Sequence, residues 1–357
     1  MKILVDIIHP ANIHYFKNFI FEMKKKNHNI IITSRDKDVT FDLLNAFKLD
    51  YINVGTGSIG RGAIGKVLYL IFSEFKFLKI ILKNRPDFVL SFGSAPLAHI
   101  CWLFRIPHVS FDDTEHAKLI KKLYVPFTPL ILSPMSFYSD LGVNHIKFDA
   151  YMELFYLHKD KFLADKNILN IIGIDIDEPF TIFRFVSWGA FHDIGQKGLS
   201  LQEKIELVLE AKKYGKVFIS SEGQLPDQLT KFQINIPAEK LHDVLNYASL
   251  YIGEGGTTAS ECAMLGTPSI YINSLPLMGY LKDCSKFNLL FHLDNMNEII
   301  TKMHFILNND KNYFIKQRDE MLKSKINPTD LLLWLVEHYP ESKRILMKDK
   351  NYQYKFK

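Results

Sequence analysis

The stretch "LYIGEGGTTASECAMLGTPSIYIN", residues 250–273, decides how the chain is to be read. A short apolar run closes on Gly253, and Gly255 and Gly256 permit a tight turn with close approach of a ligand. Thr257 or Thr258 is placed to cap a helix, Gly266 to end it, and Pro268 to open a second apolar run over 268–273. Peptide N–H groups at such a helix start lack partners within the helix, and the dipole is positive there, so the turn is an anion site. Thr257, Thr258 and Ser260 add hydroxyl donors, and a diphosphate is the natural occupant. Glu261 has two readings. With Thr258 it spells a capping box, or its carboxylate accepts from ribose hydroxyls.

The same alternation of strand and helix extends outward. Upstream, strands over 3–8, 29–33, 50–54, 87–92, 108–112 and 130–134 are separated by helical patterns. One of these carries Phe16, Phe19, Ile20 and Met23 on a single face, and others cover 39–48 and 65–84. The pattern weakens over 150–179, a charged and turn-rich interval. It then restarts with strands over 180–186, 216–221 and 232–237 and helices over 201–214 and 238–248. Helices fill most of 296–339. The fold class is therefore α/β, with two doubly wound Rossmann-like domains facing across a cleft at the carboxyl ends of their strands. The expected division is 1–165 on the acceptor side, 166–330 on the donor side, and 331–357 as a C-terminal helix and basic tail.

A second glycine-rich stretch, "VGTGSIGRGAIGK" over 54–66, contains Gly-x-Gly-x-x-Gly twice. That fingerprint binds dinucleotides only after the first strand of its unit, with an acidic residue about twenty positions on. Here the glycines follow the third strand, and Phe75, Lys76 and Phe77 occupy the acidic position. Context thus argues against a nicotinamide cofactor. The stretch reads as an exposed connector or as a flexible lip over the cleft, with Arg61 and Lys66 as its cations.

Composition narrows the setting. With 357 residues and 47% hydrophobic side chains, the chain has material for two buried cores. Cys101, Cys262 and Cys284 lie far apart and form neither a disulfide framework nor a zinc spacing, which points to a reducing cytoplasm. Asp6 interrupts the apolar start, so no signal peptide is read there, and Glu74, Lys76 and Lys79 interrupt the longest apolar stretch, so no bilayer span is read there. The net charge is +5, and the last fifteen residues hold six basic groups and one Asp. The rest is formally neutral, which is not the pattern of a nucleic-acid-binding domain. The tail reads as a frayed, solvated terminus or as a contact for an anionic membrane.

The segment 250–273 resembles the donor-site motif of the GT-B glycosyltransferases, especially the transferase that adds N-acetylglucosamine to lipid-linked peptidoglycan precursors. It is also similar to the related non-hydrolysing UDP-N-acetylglucosamine 2-epimerases. "RFVSWGAFHDIG" over 184–195 and the run "FDDTEHA" resemble a family of GT-B-like proteins described only as a domain of unknown function. The likeness runs in order through about residues 1–330. It implies that Gly255, Gly256, Thr257, Thr258 and Ser260 hold a nucleotide diphosphate, and that Glu261 binds ribose. It assigns donor-phosphate contacts to Ser187, Trp188 and Gly189, with His192 and Asp193 as further candidates. "LPLMGYLKDCSKFNLLF" resembles the late donor segment and brings in Asp283. The first loop, "HPANIH", lacks the transferase's glycines, and the late segment lacks its sugar-reading glutamines, so the donor sugar stays open.

Glycosyl transfer needs a base for the acceptor hydroxyl and stabilisation of the departing diphosphate. The helix start near 257 supplies the second. For the base, His14 follows the first strand and resembles the histidine of the transferase's first loop, while His9 is read as shaping the turn. Asp113 or Glu115, in "DDTEH" after the fifth strand, is the alternative base. With Asp112 and His116 this cluster also has metal-ligand character, although Asp113 or Thr114 equally suits a helix cap. "DID" over 175–177 is read as a loop. Arg61 and Lys66, at the start of helix 65–84, are the acceptor-side candidates, and that helix is a candidate for peripheral contact with the inner face of a membrane.

The expected activity is therefore transfer of a sugar from a nucleotide-diphosphate sugar to a cell-surface glycan or lipid-linked acceptor, without metal or cofactor. A nucleotide-sugar 2-epimerase and a non-catalytic nucleotide-sugar-binding protein are the alternatives. No nucleic-acid partner is expected.

Overall fold

The structure is a computed structural model describing residues 1–56, 62–115, 118–185, 199–221, 224–274 and 276–357. The chain forms two compact units, one of Met1–Lys161 with Lys325–Lys357 and one of Phe162–Ser324.

The first unit opens with β1 (Lys2–Ile7), α1 (Pro10–Lys25), β2 (Asn29–Asp36), α2 (Thr40–Ala46), β3 (Ile52–Thr56) and α3 (Gly62–Asn84). It continues with β4 (Phe88–Phe92), α4 (Ala95–Phe104), β5 (His108–Phe111), α5 (Lys118–Tyr124), β6 (Leu130–Pro134), β7 (His145–Phe148) and α6 (Leu154–Leu157). The sheet order is β3-β2-β1-β4-β5-β6-β7, all parallel. Right-handed crossovers then put α1 and α2 on one face and α3, α4 and α5 on the other. The near-continuous apolar run of β1 suits a strand covered on both faces, and Ile3, Leu4 and Val5 are fully buried. Phe77, Ile80 and Ile81 of α3 and Leu97, Ile100 and Cys101 of α4 pack on Leu4 and Val89 beneath them. Each such side chain contributes about 1.5–3 kcal/mol through burial.

Asp6 departs from that apolar run for a reason. Its carboxylate is fully buried at the carboxyl end of β1, accepts from Thr33 Oγ1 at 2.8 Å, and lies 3.5 Å from Arg35 Nη1. Arg35 Nε in turn donates to Tyr69 Oη of α3 at 2.7 Å. A buried pair therefore links β1, β2 and α3.

The second unit comprises α7 (Asn167–Ile172), β8 (Phe180–Phe185), α8 (Leu201–Ala211), β9 (Lys216–Ser221), α9 (Asp227–Thr230), α10 (Leu241–Tyr247) and β10 (Leu250–Gly253). It is completed by α11 (Gly256–Leu265), β11 (Ser269–Ile272), α12 (Gly279–Lys286), β12 (Leu290–Leu293), α13 (Met296–Leu307) and α14 (Lys311–Leu322). Its sheet runs β12-β11-β10-β8-β9, again parallel throughout. The run 232–237, expected as a strand, makes only the single bridge Ile219↔Gln233. Pro237 lacks an N–H for a ladder and instead leads into a 3-10 turn, Ala238–Lys240. Residues 175–177 lie in the turn-rich connection between α7 and β8.

The C-terminal segment departs from expectation. α15 (Pro328–Glu337) and α16 (Glu341–Lys348) belong to the first unit, as does the closing 3-10 segment Lys350–Phe356. α15 packs on α1 and α6, and Thr329 Oγ1 donates to the Phe155 carbonyl at 2.9 Å. The basic tail is not a frayed terminus. Tyr352 stacks on Trp334 with ring centroids 4.8 Å apart, and buried Gln353 accepts from the Asp149 N–H at 2.7 Å. Lys325 Nζ pairs with Asp149 Oδ1 at 2.6 Å. These contacts attach residues 325–357 to the first unit, so they are not a separate tail. Among the described residues, no helix is long and apolar enough to cross a membrane.

Candidate functional site

In the second unit the strand order reverses between β8 and β10. β8 crosses through α8 to β9 on one side, and β10 crosses through α11 to β11 on the other. The carboxyl ends of these two strands are the topological switch point, where open parallel sheets bind ligands. Gly253 pairs with Arg184 there. The loop after β8, with Ser187, Trp188, Gly189, His192 and Asp193, lies outside the described residues. The loop after β10 is Glu254 and Gly255, followed directly by α11.

Close packing dictates glycine at 253. A Cβ there would stand 2.3 Å from Tyr251 Oη and 2.9 Å from the Arg184 carbonyl. The Tyr251 side chain is fully buried and runs beneath the turn, and burial raises its pKa. Gly253→Ala is expected to destabilise the second unit by about 1–3 kcal/mol through overpacking. Thermal unfolding checks this, and a variant as stable as the parent would refute the close contact.

Gly255, not a threonine, is the N-cap of α11, and no side chain caps the helix. The Thr258–Glu261 capping box, one of the two readings of Glu261, is therefore not formed, because Thr258 lies inside the helix. Gly255 and Gly256 are half-buried and Thr257 is exposed, so the start of the helix reaches solvent. Thr258 is largely buried. Ser260 is fully buried and its hydroxyl donates to the Thr257 carbonyl at 2.9 Å. Glu261 is buried one turn further in, where Oε1 pairs with His242 Nε2 at 3.0 Å. Gly266, at φ +80°, ends the helix in the left-handed conformation as its sequence suggests.

Charged residues that sequence reading missed gather at the same edge. Arg184 Nη1 donates to Ser220 Oγ at 3.0 Å, and its carbonyl accepts from the Glu254 N–H. Lys204 of α8 lies 3.6 Å from Glu254 Oε1 and over the Phe185 ring. The signal was a lone charged residue near the end of a strand run, "FTIFRFV". Asp283, on α12, pairs with Lys286 at 2.7 Å.

In the first unit the base candidates separate. His14 is buried on α1, its ring 5.1 Å from Tyr156 and 5.9 Å from Phe47. His9 stands at the start of the same helix. It is the exposed N-cap of α1, and its Nδ1 accepts from the Ala11 N–H at 3.2 Å, which leaves the proton on Nε2 in the neutral ring. Asp112 and Asp113 follow β5. Asp112 is buried, accepts from Tyr124 Oη, and has its pKa raised by burial. Asp113 is half-buried and accepts from Thr114 Oγ1 at 2.9 Å. Desolvation, with the neighbouring charges of Asp112 and Glu115, raises its pKa to about 6. Glu115 Oε1 accepts from the Tyr138 N–H at 3.3 Å. His116 and Arg61 lie outside the described residues, as does the side chain of Lys66 on α3. Among the described residues, no three His, Cys, Asp or Glu side chains are grouped to hold a metal ion.

A family profile described as "Protein of unknown function (DUF354)" matches residues 1–339. The chain belongs to the DUF354 family. A DUF354 chain of this kind is 22% identical over 312 residues to the uncharacterized protein MJ0665 of Methanocaldococcus jannaschii, covering 84% of this chain and 90% of that protein. Among solved structures, the MnaA–UDP co-structure from S. aureus matches with a TM-score of 0.66 at 11% identity, covering 96% of this chain and 97% of that one. The UDP-GlcNAc 2-epimerase of Methanocaldococcus jannaschii matches with a TM-score of 0.64 at 13% identity, covering 90% and 99%. The spinosyn rhamnosyltransferase SpnG, in complex with thymidine diphosphate, matches with a TM-score of 0.60 at 14% identity, covering 94% and 100%. This DUF354 protein thus has the two Rossmann-like units of the GT-B fold.

Proposed function

We propose that the protein is a glycosyltransferase that moves a sugar from a nucleotide-diphosphate sugar to a cell-surface glycan or lipid-linked acceptor, in the cytoplasm at the inner face of the membrane. The observation that supports this most is the solvent-reaching start of α11 at the switch point, with Arg184 on the adjoining strand end. N–H groups of Gly256 and Thr257 and the Arg184 guanidinium would hold the diphosphate. They would also stabilise the charge it acquires on leaving, so the scheme calls for no metal or cofactor. Gly255 and Gly256 let the diphosphate approach the backbone, and Thr257 adds a hydroxyl. Ribose hydroxyls would meet the Glu261 carboxylate, whose Oε1 is already oriented by His242. Asp113, with its raised pKa, is the base that would take the acceptor proton.

An epimerase reading has its own support. Asp112, Asp113 and Glu115 stand together after β5, and breaking and re-forming a carbon–hydrogen bond on one hexose needs several acids and bases.

Calorimetric titration with UDP and dTDP tests the diphosphate site. Arg184→Gln is expected to weaken the tighter of the two by about 10- to 100-fold, since a hydrogen bond to a charged group is worth roughly 1.5–3 kcal/mol. A joint Arg61→Ala, Lys66→Ala variant is expected to keep nucleotide affinity and lose acceptor use. Unchanged affinity in Arg184→Gln would remove the site. Incubation with nucleotide sugars then separates the activities, because acceptor-stimulated release of nucleotide marks transfer and epimer interconversion without acceptor marks the second reading.

A further inference from the structure

The outward side of the α3, α4 and α5 layer is more apolar than covering a sheet requires. α4 lies between its neighbours, with His99 Nδ1 2.6 Å from Glu74 of α3 and its Nε2 donating to the Leu123 carbonyl of α5 at 2.9 Å. These bonds join the three helix surfaces into one. On that surface Phe72 and Phe75 are 57% and 61% exposed, Trp102 and Leu103 are 61% and 66%, and Leu119 and Ile120 are 69% and 50%. Isolated exposed apolar residues are ordinary, but large ones gathered on three adjoining helices mark an interaction surface.

Apart from Glu74, the described charged residues of α3, α4 and α5 have one sign. Lys76, Lys79 and Lys83 continue the outward stripe of α3 beyond Phe75, and Lys118 and Lys122 flank Leu119 and Ile120 on α5, all exposed. Glu74, the acid beside them, is already paired with His99. An apolar centre bearing an exposed tryptophan within a lysine border has the chemistry of a face seated at the headgroup level of an anionic bilayer. A second copy fits less well, because symmetric association would bring like-charged borders together.

We propose that the α3–α4–α5 face docks on an anionic lipid surface, with Phe75, Trp102 and Leu103 entering the interface and Lys76, Lys79 and Lys122 meeting lipid phosphates. This deepens the reading of a lipid-linked acceptor, but it is tested without nucleotide. The full chain is floated with vesicles of equal parts phosphatidylglycerol and phosphatidylcholine, or of phosphatidylcholine alone, at low and high salt. Binding is expected to the anionic vesicles and to fall with salt. Lys76→Gln with Lys79→Gln is expected to weaken it roughly 25-fold, about fivefold for each lysine lost. Trp102→Ser with Leu103→Ser is expected to abolish it. Both variants should keep the parent's UDP affinity, so a failure at the bilayer and a failure at the donor site are read separately. Three results would overturn the proposal: no vesicle binding, equal binding to both vesicle types, or a stable dimer by sedimentation that Trp102→Ser with Leu103→Ser splits.

Discussion

Turnover is expected to fall about 10²- to 10⁴-fold when Asp113 becomes asparagine, the usual contribution of a positioned general base. The structural ground is its half-buried carboxyl beside Asp112 and Glu115, with a pKa raised to about 6. The ionised form is the base. In the parent, kcat/KM should therefore rise as pH increases through about 6 and level off above it. Asp113→Asn should lose that limb while keeping UDP affinity, because the diphosphate site proposed above belongs to the second unit. A parent profile flat between mildly acidic and neutral pH, or an asparagine variant of near-normal rate, would take Asp113 out of the mechanism. Glu115→Gln in parallel distinguishes the two carboxylates that sequence reading left as equals.

Asp6→Ala is expected to cost the first unit about 3–5 kcal/mol, the range for removing one partner of a buried ion pair. The loss would leave the Arg35 guanidinium, on a side chain only 9% exposed, facing an apolar void, with Thr33 Oγ1 deprived of its acceptor. Urea unfolding followed by tryptophan emission reports it, since Trp102 and Trp334 both lie in the first unit. Asp6→Ala with Arg35→Met should recover much of the loss, because removing both charges leaves neither unpaired. A single variant as stable as the parent would show that the pair contributes nothing.

The parts of the fold legible in the sequence were those carried by local pattern. β10, the glycine turn, α11 and its Gly266 terminus were read from one stretch, because a strand end, a tight turn and a left-handed cap each demand particular residues nearby. β7 and β12 were not legible, because "HIKF" and "LFHL" are four-residue runs with a charged or histidine residue inside, which breaks the apolar run that marked strands of similar length. Residues 232–237 misled for the opposite reason, since alternation mimics a strand even where no neighbour supplies a ladder. The surroundings of His14 were not legible, because one of the rings beside it, Tyr156, lies far along the chain. The burial of Ser260 was not legible, because it depends on how α11 packs and not on neighbouring residues. Arg184 was overlooked because strand order, which makes its position the switch point, is not a local property.

The return of residues 325–357 to the first unit makes the second an insertion within it. A nascent chain leaving the ribosome therefore cannot finish the first unit until residues 325–357 have emerged. Lys325, Trp334 and Gln353 supply contacts for which Asp149, α1 and α6 must wait. Phe162–Ser324, contiguous in the chain, has all its own strands in hand sooner. Order of synthesis and order of completion are thus reversed, and the amino-terminal sheet must remain soluble, with one flank uncovered, while the inserted half folds.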